Sequence, residues 1–370
     1  MNEVIIYPGS LAGEVFVPAS KSISHRAVIC AGLSEGISTI NNVGISQDIE
    51  ATLEAMRSFG ITIEKEDASL RIKGSAVHKL KNTGINCHES GSTLRFIIPI
   101  AALTGEPVTF YGEGRLVERP LVPYYNIFEK QGIKYETEAG KLPLHINGRL
   151  VPGEFQLEGN ISSQFISGLM FALPLLEGDS RITVTTEPES KPYIDMTLKV
   201  LKDFSIHIEN HDYGTFIIKG RQKYRATDYT VPGDFSQAAF WLTAGVLGSE
   251  VVCKGLDMDS MQGDRVMMDI IGEMGGGIFV KSDAIKALPA DTRGTVIDAS
   301  QCPDLVPILA VLGALSEGRT EIVNAGRLRL KESDRLKAVS SELGKLGACI
   351  TELQDSLVID GRKRLRGGRV

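Results

Sequence analysis

The chain repeats itself, and that repetition limits its fold more than any other feature. Short glycine-containing turns recur at Gly36, Gly105, Gly178, Gly248 and Gly318, spaced by 69, 73, 70 and 70 residues. Each turn follows an apolar run of helical character and precedes a short β-rich segment: Ser38-Thr39-Ile40, Val108-Thr109-Phe110, Ile182-Thr183-Val184, Val251-Val252-Cys253 and Thr320-Glu321-Ile322. A polar loop and an amphipathic helix come next, as at residues 48–56 and 335–343. Most of these helices close on a glycine (Gly60, Gly132, Gly275, Gly347), the residue that a helix C-terminus favours. Alternating strands such as residues 61–64 and 70–74 complete the unit. The unit is therefore helix, strand, helix and two strands in about 70 residues, and five copies can be counted.

The first helix of each copy has a polar start and an apolar body. The starts are Lys21-Ser22-Ile23-Ser24-His25-Arg26, Glu89-Ser90-Gly91-Ser92-Thr93-Leu94-Arg95, Asn160-Ile161-Ser162-Ser163-Gln164, Gly233-Asp234-Phe235-Ser236-Gln237 and Pro303-Asp304-Leu305. Bodies such as residues 96–103 are apolar nearly all round, which predicts buried helices. Buried parallel helices whose polar ends point one way gather their free N–H groups and positive dipole ends at one cleft. That geometry suits a small ligand carrying several negative charges. The strongest single start is Pro18-Ala19-Ser20-Lys21-Ser22-Ile23-Ser24-His25-Arg26, where two cations and a hydroxyl join the helix end. Taken alone it is equally a solvated basic helix start.

Composition narrows the function classes. With 370 residues the chain is too long for one core and predicts two domains. A formal net charge of −6 argues against a general nucleic-acid binder, so the cations are read as local sites. No apolar run approaches membrane-spanning length, and Met1-Asn2-Glu3-Val4 lacks a signal-peptide pattern. Cys30, Cys87, Cys253, Cys302 and Cys349 are scattered and without CxxC spacing, which predicts reduced thiols in a cytoplasmic protein.

Three further clusters carry possible chemistry. Gly112-Glu113-Gly114-Arg115-Leu116-Val117-Glu118-Arg119-Pro120 is a glycine-rich loop with two arginines, but it matches neither GxGxxG nor GxxxxGK[ST]. Ser190-Lys191-Pro192-Tyr193-Ile194-Asp195 holds the equivalent place in the third copy and otherwise reads as a proline-started helix. Arg327-Leu328-Arg329-Leu330-Lys331-Glu332-Ser333-Asp334-Arg335 lies in the fifth, with Lys331 and Arg335 flanking Glu332. A capped helix start with weak local ion pairs is the plain account of it. A carboxylate among cations is also how a site places an acid–base group beside an anionic substrate. His25, His78, His88, His145, His207 and His211 show no metal-ligand spacing, Cys87-His88-Glu89 diverges, and there is no GxSxG elbow.

Assembled, these residues resemble the 5-enolpyruvylshikimate-3-phosphate synthase family over essentially the whole chain. The resemblance rests on residues 18–26, 91–95, 112–120, Ser162-Ser163-Gln164, residues 190–193, Asp304 and residues 331–335. It implies an α/β (α+β) two-domain enolpyruvyl transferase fold of six such units, five of them present. One domain interrupts the other, so residues 1–19 plus 228–370 form a discontinuous first domain and 20–227 the second. The implied reaction transfers the enolpyruvyl group of phosphoenolpyruvate to the 5-hydroxyl of shikimate 3-phosphate, releasing phosphate through a tetrahedral intermediate, in aromatic amino-acid biosynthesis. No metal or organic cofactor is implied, and the family is usually monomeric.

By the same resemblance Asp304 is the base on the 5-hydroxyl, Glu332 handles the methylene proton, and Lys21 bridges both substrates and assists proton transfer. Shikimate 3-phosphate falls to Lys21, Ser22, Arg26, Ser162, Ser163, Gln164, Ser190, Tyr193, Asp304 and Lys331. Phosphoenolpyruvate falls to Lys21, Gly91, Arg119, Gln164 and Arg335. Three departures are visible. His88-Glu89 stands where the family has Gly-Asn, and Arg327 stands where some relatives carry Asn. The family's sixth unit, with an Asp-His-Arg motif and a later lysine, has no counterpart, so an incomplete, unstable first domain and weak or absent activity are expected. The rival readings are a sister enzyme that transfers enolpyruvyl to UDP-N-acetylglucosamine, and a non-catalytic remnant that only binds shikimate 3-phosphate.

Overall fold

The computed structural model describes residues 4–9, 11–77, 79–281 and 284–370. Met1, Asn2, Glu3, Ser10, His78, Ser282 and Asp283, which include part of the expected first-domain start and one of the histidines, lie outside the described residues.

The chain opens with β1 (Gly13–Phe16), and the first unit follows as α1 (Lys21–Leu33), β2 (Gly36–Asn41), α2 (Gln47–Ser58), β3 (Thr62–Glu66) and β4 (Ser69–Gly74). The second is β5 (Gly84–Asn86), α3 (Gly91–Ala102), β6 (Val108–Tyr111), α4 (Val122–Gln131), β7 (Lys134–Glu138) and β8 (Lys141–Asn147). The third is β9 (Glu154–Leu157), α5 (Ser163–Ala172), β10 (Ser180–Val184), α6 (Lys191–Asp203), β11 (Ile208–His211) and β12 (Thr215–Ile218). After β13 (Tyr229–Thr230) come α7 (Phe235–Leu247), β14 (Val251–Lys254), α8 (Met267–Glu273), β15 (Gly277–Lys281) and β16 (Ala284–Leu288). The fifth is β17 (Val296–Asp298), α9 (Val306–Leu315), β18 (Arg319–Val323), α10 (Arg335–Lys345), β19 (Cys349–Glu352) and β20 (Leu357–Asp360).

Each unit carries a four-stranded sheet, one strand more than its local sequence pattern contains. The extra strand leads the unit and pairs parallel, as β5 does with β6 and β17 with β18. In two units the leading strand is exchanged. β1, just ahead of α1, pairs with β14 of the fourth unit, whereas β13, just ahead of α7, pairs with β2 of the first. The two connections cross side by side: Ser20 N–H donates to the Pro232 carbonyl at 2.9 Å, and Asp234 N–H to the Pro18 carbonyl at 2.8 Å. Gly233 is required here, because a Cβ would lie 2.6 Å from the Gly255 carbonyl oxygen.

The buried apolar residues divide into two cores. One runs from Ile23 to Val231 and the other takes Val17 together with residues between Phe235 and Ile359. Side-chain caps explain why the helices start where they do. Ser46 accepts from Ile49 N–H at 3.3 Å, Ser90 from Thr93 N–H at 3.2 Å, and Asp334 from Lys337 N–H at 3.1 Å. The apolar helices α1, α3 and α5 bury all their hydrophobic side chains, α3 packing on α5 and α1 on α2 and α6. α7 packs on α9, β14 and β16, and its Phe240 remains 47% exposed.

The return of the first unit's last strand onto the C-terminus of α1 is tight. A Cβ at Gly74 would meet the Ala31 carbonyl oxygen at 2.2 Å and that of Ser34 at 2.4 Å. Gly74→Ala is therefore expected to destabilise the larger body by about 2 kcal/mol, since neither neighbour is a movable side chain. Urea unfolding at constant m-value checks this.

Candidate active site

Two cavities stand out. The larger, about 750 Å³, sits at the helix C-terminal end of the three-unit body, lined by Leu33, Leu103, Leu176, Arg149 and Tyr224 among others. The smaller, about 500 Å³, lies between the two cores at the helix N-termini and is lined by Lys21, Ser22, Tyr193, Asp234, Asp264, Asp304 and Arg335. Only the second collects titratable groups from several units around helix N-termini, and it is the candidate site on that ground.

Its centre is Asp304. Arg335 Nη1 donates to Oδ1 at 2.7 Å, Lys331 Nζ lies 4.0 Å away, and the Tyr193 hydroxyl of the other body donates to Oδ2. Burial works against ionisation of Asp304, but Lys331 and Arg335 and the two hydrogen bonds outweigh it and hold the carboxyl well below the usual carboxylate range. Arg335 also donates to Glu332 Oε2 at 2.9 Å, and Arg119 of the second unit reaches Glu332 Oε1 at 3.5 Å. Glu332 is pushed up by its partial burial, but Arg335, a backbone N–H, Arg119 and Lys331 bring it down to about 2. Lys331 is lowered, first by burial.

Around this centre the predicted residues take different places. Lys21 begins α1, and its Nζ is held by Asp48 Oδ2 at 2.7 Å while its N–H donates to Asp234 Oδ2 at 3.2 Å. Ser22 lines the cavity. Arg26 does not: its guanidinium is 2% exposed and donates to Thr197 Oγ1 at 2.8 Å, the Ser22 carbonyl at 2.7 Å and the Tyr193 carbonyl at 3.0 Å. It braces the groups that do face the cavity. Ser162 caps α5, accepting from Gln164 N–H at 3.3 Å, with Ser163 as the first helical residue. Gln164 turns to α3, accepting from Arg95 at 2.7 Å and donating to Ser92 at 2.9 Å. Ser190 has a left-handed backbone (φ 56) and its hydroxyl accepts from Arg327, which also reaches the Ser300 carbonyl at 2.9 Å. Gly91 lies directly under Arg119, whose Nη1 would be 2.5 Å from a Cβ at that position.

Sequence reasoning missed Asp48, Asp264 and Gln262. Asp264 lines the cavity with Oδ1 buried and unpartnered, and burial, then Asp304 and Asp234, push its carboxyl well above the usual range. The surroundings thus push these two neighbouring carboxyls in opposite directions. All three occupy the loop before or the first turn of the second helix in their units, the place held by residues 112–120, 190–195 and 327–335 in the other three. Comparing the five units position by position was the signal that would have found them. Among the described residues no group of three or more His, Cys, Asp or Glu is placed to hold a metal.

The ion pairs set a pH dependence. The folded-state value of Glu332, about 2, lies below its ordinary value near ~4.3, so its pairing stabilises the protein above that pH and is lost as pH falls towards 2. Asp304 acts in the same direction. Denaturation midpoints are expected to drop as pH is lowered from about 4 to 2, and Arg335→Met is expected to flatten that drop.

Comparison with known proteins agrees with this geometry. The profile of the family EPSP synthase (3-phosphoshikimate 1-carboxyvinyltransferase) matches residues 6–370. The 3-phosphoshikimate 1-carboxyvinyltransferase of Clostridium kluyveri is 55% identical over 370 residues, covering 100% of this chain and 87% of the relative. That of Clostridium acetobutylicum is 54% identical over 374 residues, with the same coverage of 100% and 87%. Among solved structures, the EPSP synthase of Acinetobacter baumannii superposes with a TM-score of 0.80 at 25% identity, over 97% of this chain and 84% of that one. The enolpyruvyl transferase NikO of Streptomyces tendae shares the fold, with a TM-score of 0.74 at 19% identity over 95% and 82%. The motifs, the enolpyruvyl transferase fold and these similarities agree, and the chain belongs to the EPSP synthase family.

Proposed function

We propose that this chain catalyses transfer of the enolpyruvyl group from phosphoenolpyruvate to the 5-hydroxyl of shikimate 3-phosphate, releasing phosphate. The observation that carries the reading is the charged bridge Tyr193–Asp304–Arg335–Glu332–Arg119, which sets two carboxylates among cations between the two bodies. Two anionic substrates need such cations and helix N-termini, and the chemistry needs one group for an oxygen-bound proton and another for a carbon-bound one.

In this reading the substrate hydroxyl replaces Tyr193 or Arg335 beside Asp304. Asp304 takes the hydroxyl proton as the oxygen bonds to C2 of phosphoenolpyruvate and C3 gains a proton. The tetrahedral adduct then loses phosphate from C2 and a proton from C3. Phosphoenolpyruvate draws Arg119 and Arg335 away from Glu332, which raises its proton affinity at the moment a proton must be carried at carbon. Lys21, freed from Asp48, bridges the two anions. Shikimate 3-phosphate lies towards Ser22, Ser162, Ser163, Gln164, Ser190, Tyr193 and Lys331, braced by Arg26, and phosphoenolpyruvate towards Gly91, Arg119 and Arg335. The two bodies, taken as residues 1–19 with 228–370 and 20–227, supply the two sides of the cleft. The two cores support this division, although β13 and Val231 side with the other body.

Phosphate release is expected only when both substrates are present, and not when UDP-N-acetylglucosamine replaces shikimate 3-phosphate. Glu332→Gln and Asp304→Ala are each expected to lower kcat by at least about 100-fold. Binding of shikimate 3-phosphate without any phosphate release would favour the non-catalytic reading instead.

A further inference from the structure

His25 belongs to the opening motif but has no part in this chemistry, and it is almost wholly enclosed. It is 1% exposed, although it lies within about one helical turn of Lys21 and Ser22. Its Nδ1 lies 2.7 Å from Thr52 Oγ1 of α2. Thr52 Oγ1 lies 2.6 Å from Thr93 Oγ1 of α3, and Thr93 Oγ1 lies 2.7 Å from Oγ of Ser90, the cap of α3. Both threonine hydroxyls also approach the Asp48 carbonyl, at 3.5 and 3.3 Å. A single imidazole thus begins a buried chain of hydroxyls that ties together the N-terminal ends of α1, α2 and α3.

Each of those ends carries a group of the site. α1 begins with Lys21. α2 carries Asp48, whose carboxylate holds Lys21 Nζ at 2.7 Å. α3 begins with Gly91, directly after the Ser90 cap and against Arg119. A slip of one helix relative to another would separate Lys21, the Gly91 N–H and Arg119, which a single small anion must touch together.

The chain has a direction. Burial first, then Lys21 and Arg26, keep the imidazole neutral, with its proton affinity well below the usual histidine range. A neutral imidazole has one N–H. Nε2 is buried and has no partner. A buried N–H without an acceptor is costlier than a bare lone pair, so the hydrogen-bond network assigns the proton to Nδ1. Nδ1–H then donates to Thr52, Thr52 can donate to Thr93 or to the Asp48 carbonyl, and Thr93 to Ser90 or to that same carbonyl. Successive bonds polarise one another along such a chain.

We propose that His25 is a positioning residue for the phosphoenolpyruvate half of the site, registering three helix N-termini through the Thr52–Thr93–Ser90 hydroxyls. The proposal rests on the enolpyruvyl-transfer reading above. A residue that merely filled space could be any apolar side chain of this volume. His25 instead makes a bond that only an N–H at the Nδ1 position can make.

Two variants separate these roles. His25→Leu keeps most of the volume and removes the donor, whereas in His25→Asn the amide nitrogen takes the place of Nδ1. His25→Leu is expected to raise KM for phosphoenolpyruvate about tenfold while changing KM for shikimate 3-phosphate less than about twofold, and His25→Asn to recover most of the loss. Equal rises in both KM values, or a lower melting temperature with both KM values unchanged, would overturn the proposal. Nitrogen-15 NMR of the imidazole in the unliganded protein decides the hydrogen-bond chain independently of activity. Protonated Nδ1 and bare Nε2 are expected, with the Nδ1 signal moved by Thr52→Val. A proton on Nε2 would overturn the chain. Absence of turnover in the unsubstituted protein would instead overturn the functional reading and leave the NMR result standing.

Discussion

Asp304 is the point at which the two bodies and the chemistry meet. Its carboxylate is half-buried among Lys331, Arg335 and the Tyr193 hydroxyl, and the last of these comes from the other hydrophobic core. A lone buried carboxylate would take up a proton, while Lys331 or Arg335 left without it would be cations in a poorly solvated cleft. The cluster is therefore stable only when its members are together, and their assembly requires the two bodies to face each other. The same contacts that hold the cleft in register keep one carboxylate ionised, as the base of the proposed transfer must be.

The helices provide the rest of the setting. α1 and α7 belong to different cores, yet their starts are joined by the crossing of the segments around Pro18 and Gly233. Asp234 caps α7 and also accepts from Lys21 N–H at the start of α1, so one carboxylate serves a helix end in each body. The exchange of β1 and β13 between sheets makes this crossing a covalent feature of the fold. The starts of α1 and α7 and the turn before α9 line the cleft, whereas the larger cavity lies at the opposite helix ends, where the helix dipoles do not favour an anion.

Much of this is legible before any coordinates. Serine caps, glycine endings such as Gly60 and Gly347, and apolar bodies such as residues 96–103 are local signals, and they mark the units well. The leading strands are harder to read, because β5 has three residues and β13 two, and β13 pairs with β2 of the distant first unit. Arg26 looks like an exposed cation by its motif. Only the tertiary structure reveals that Thr197, 171 residues away, receives its Nε–H. Asp48 and Asp264 are missed for a related reason. A carboxylate in a polar loop has the same local sequence whether it faces water or a buried cleft, and only the repeat register distinguishes them.

A crystal structure with shikimate 3-phosphate bound tests the central claim most directly. The ligand is expected in the cleft between the two cores, with its phosphate at the Ser162–Ser163 start of α5 and its 5-hydroxyl against Asp304, in place of one of that residue's present partners. Density for the ligand in the 750 Å³ cavity at the helix C-termini, with Asp304 still bonded to Tyr193 and Arg335, would contradict the account.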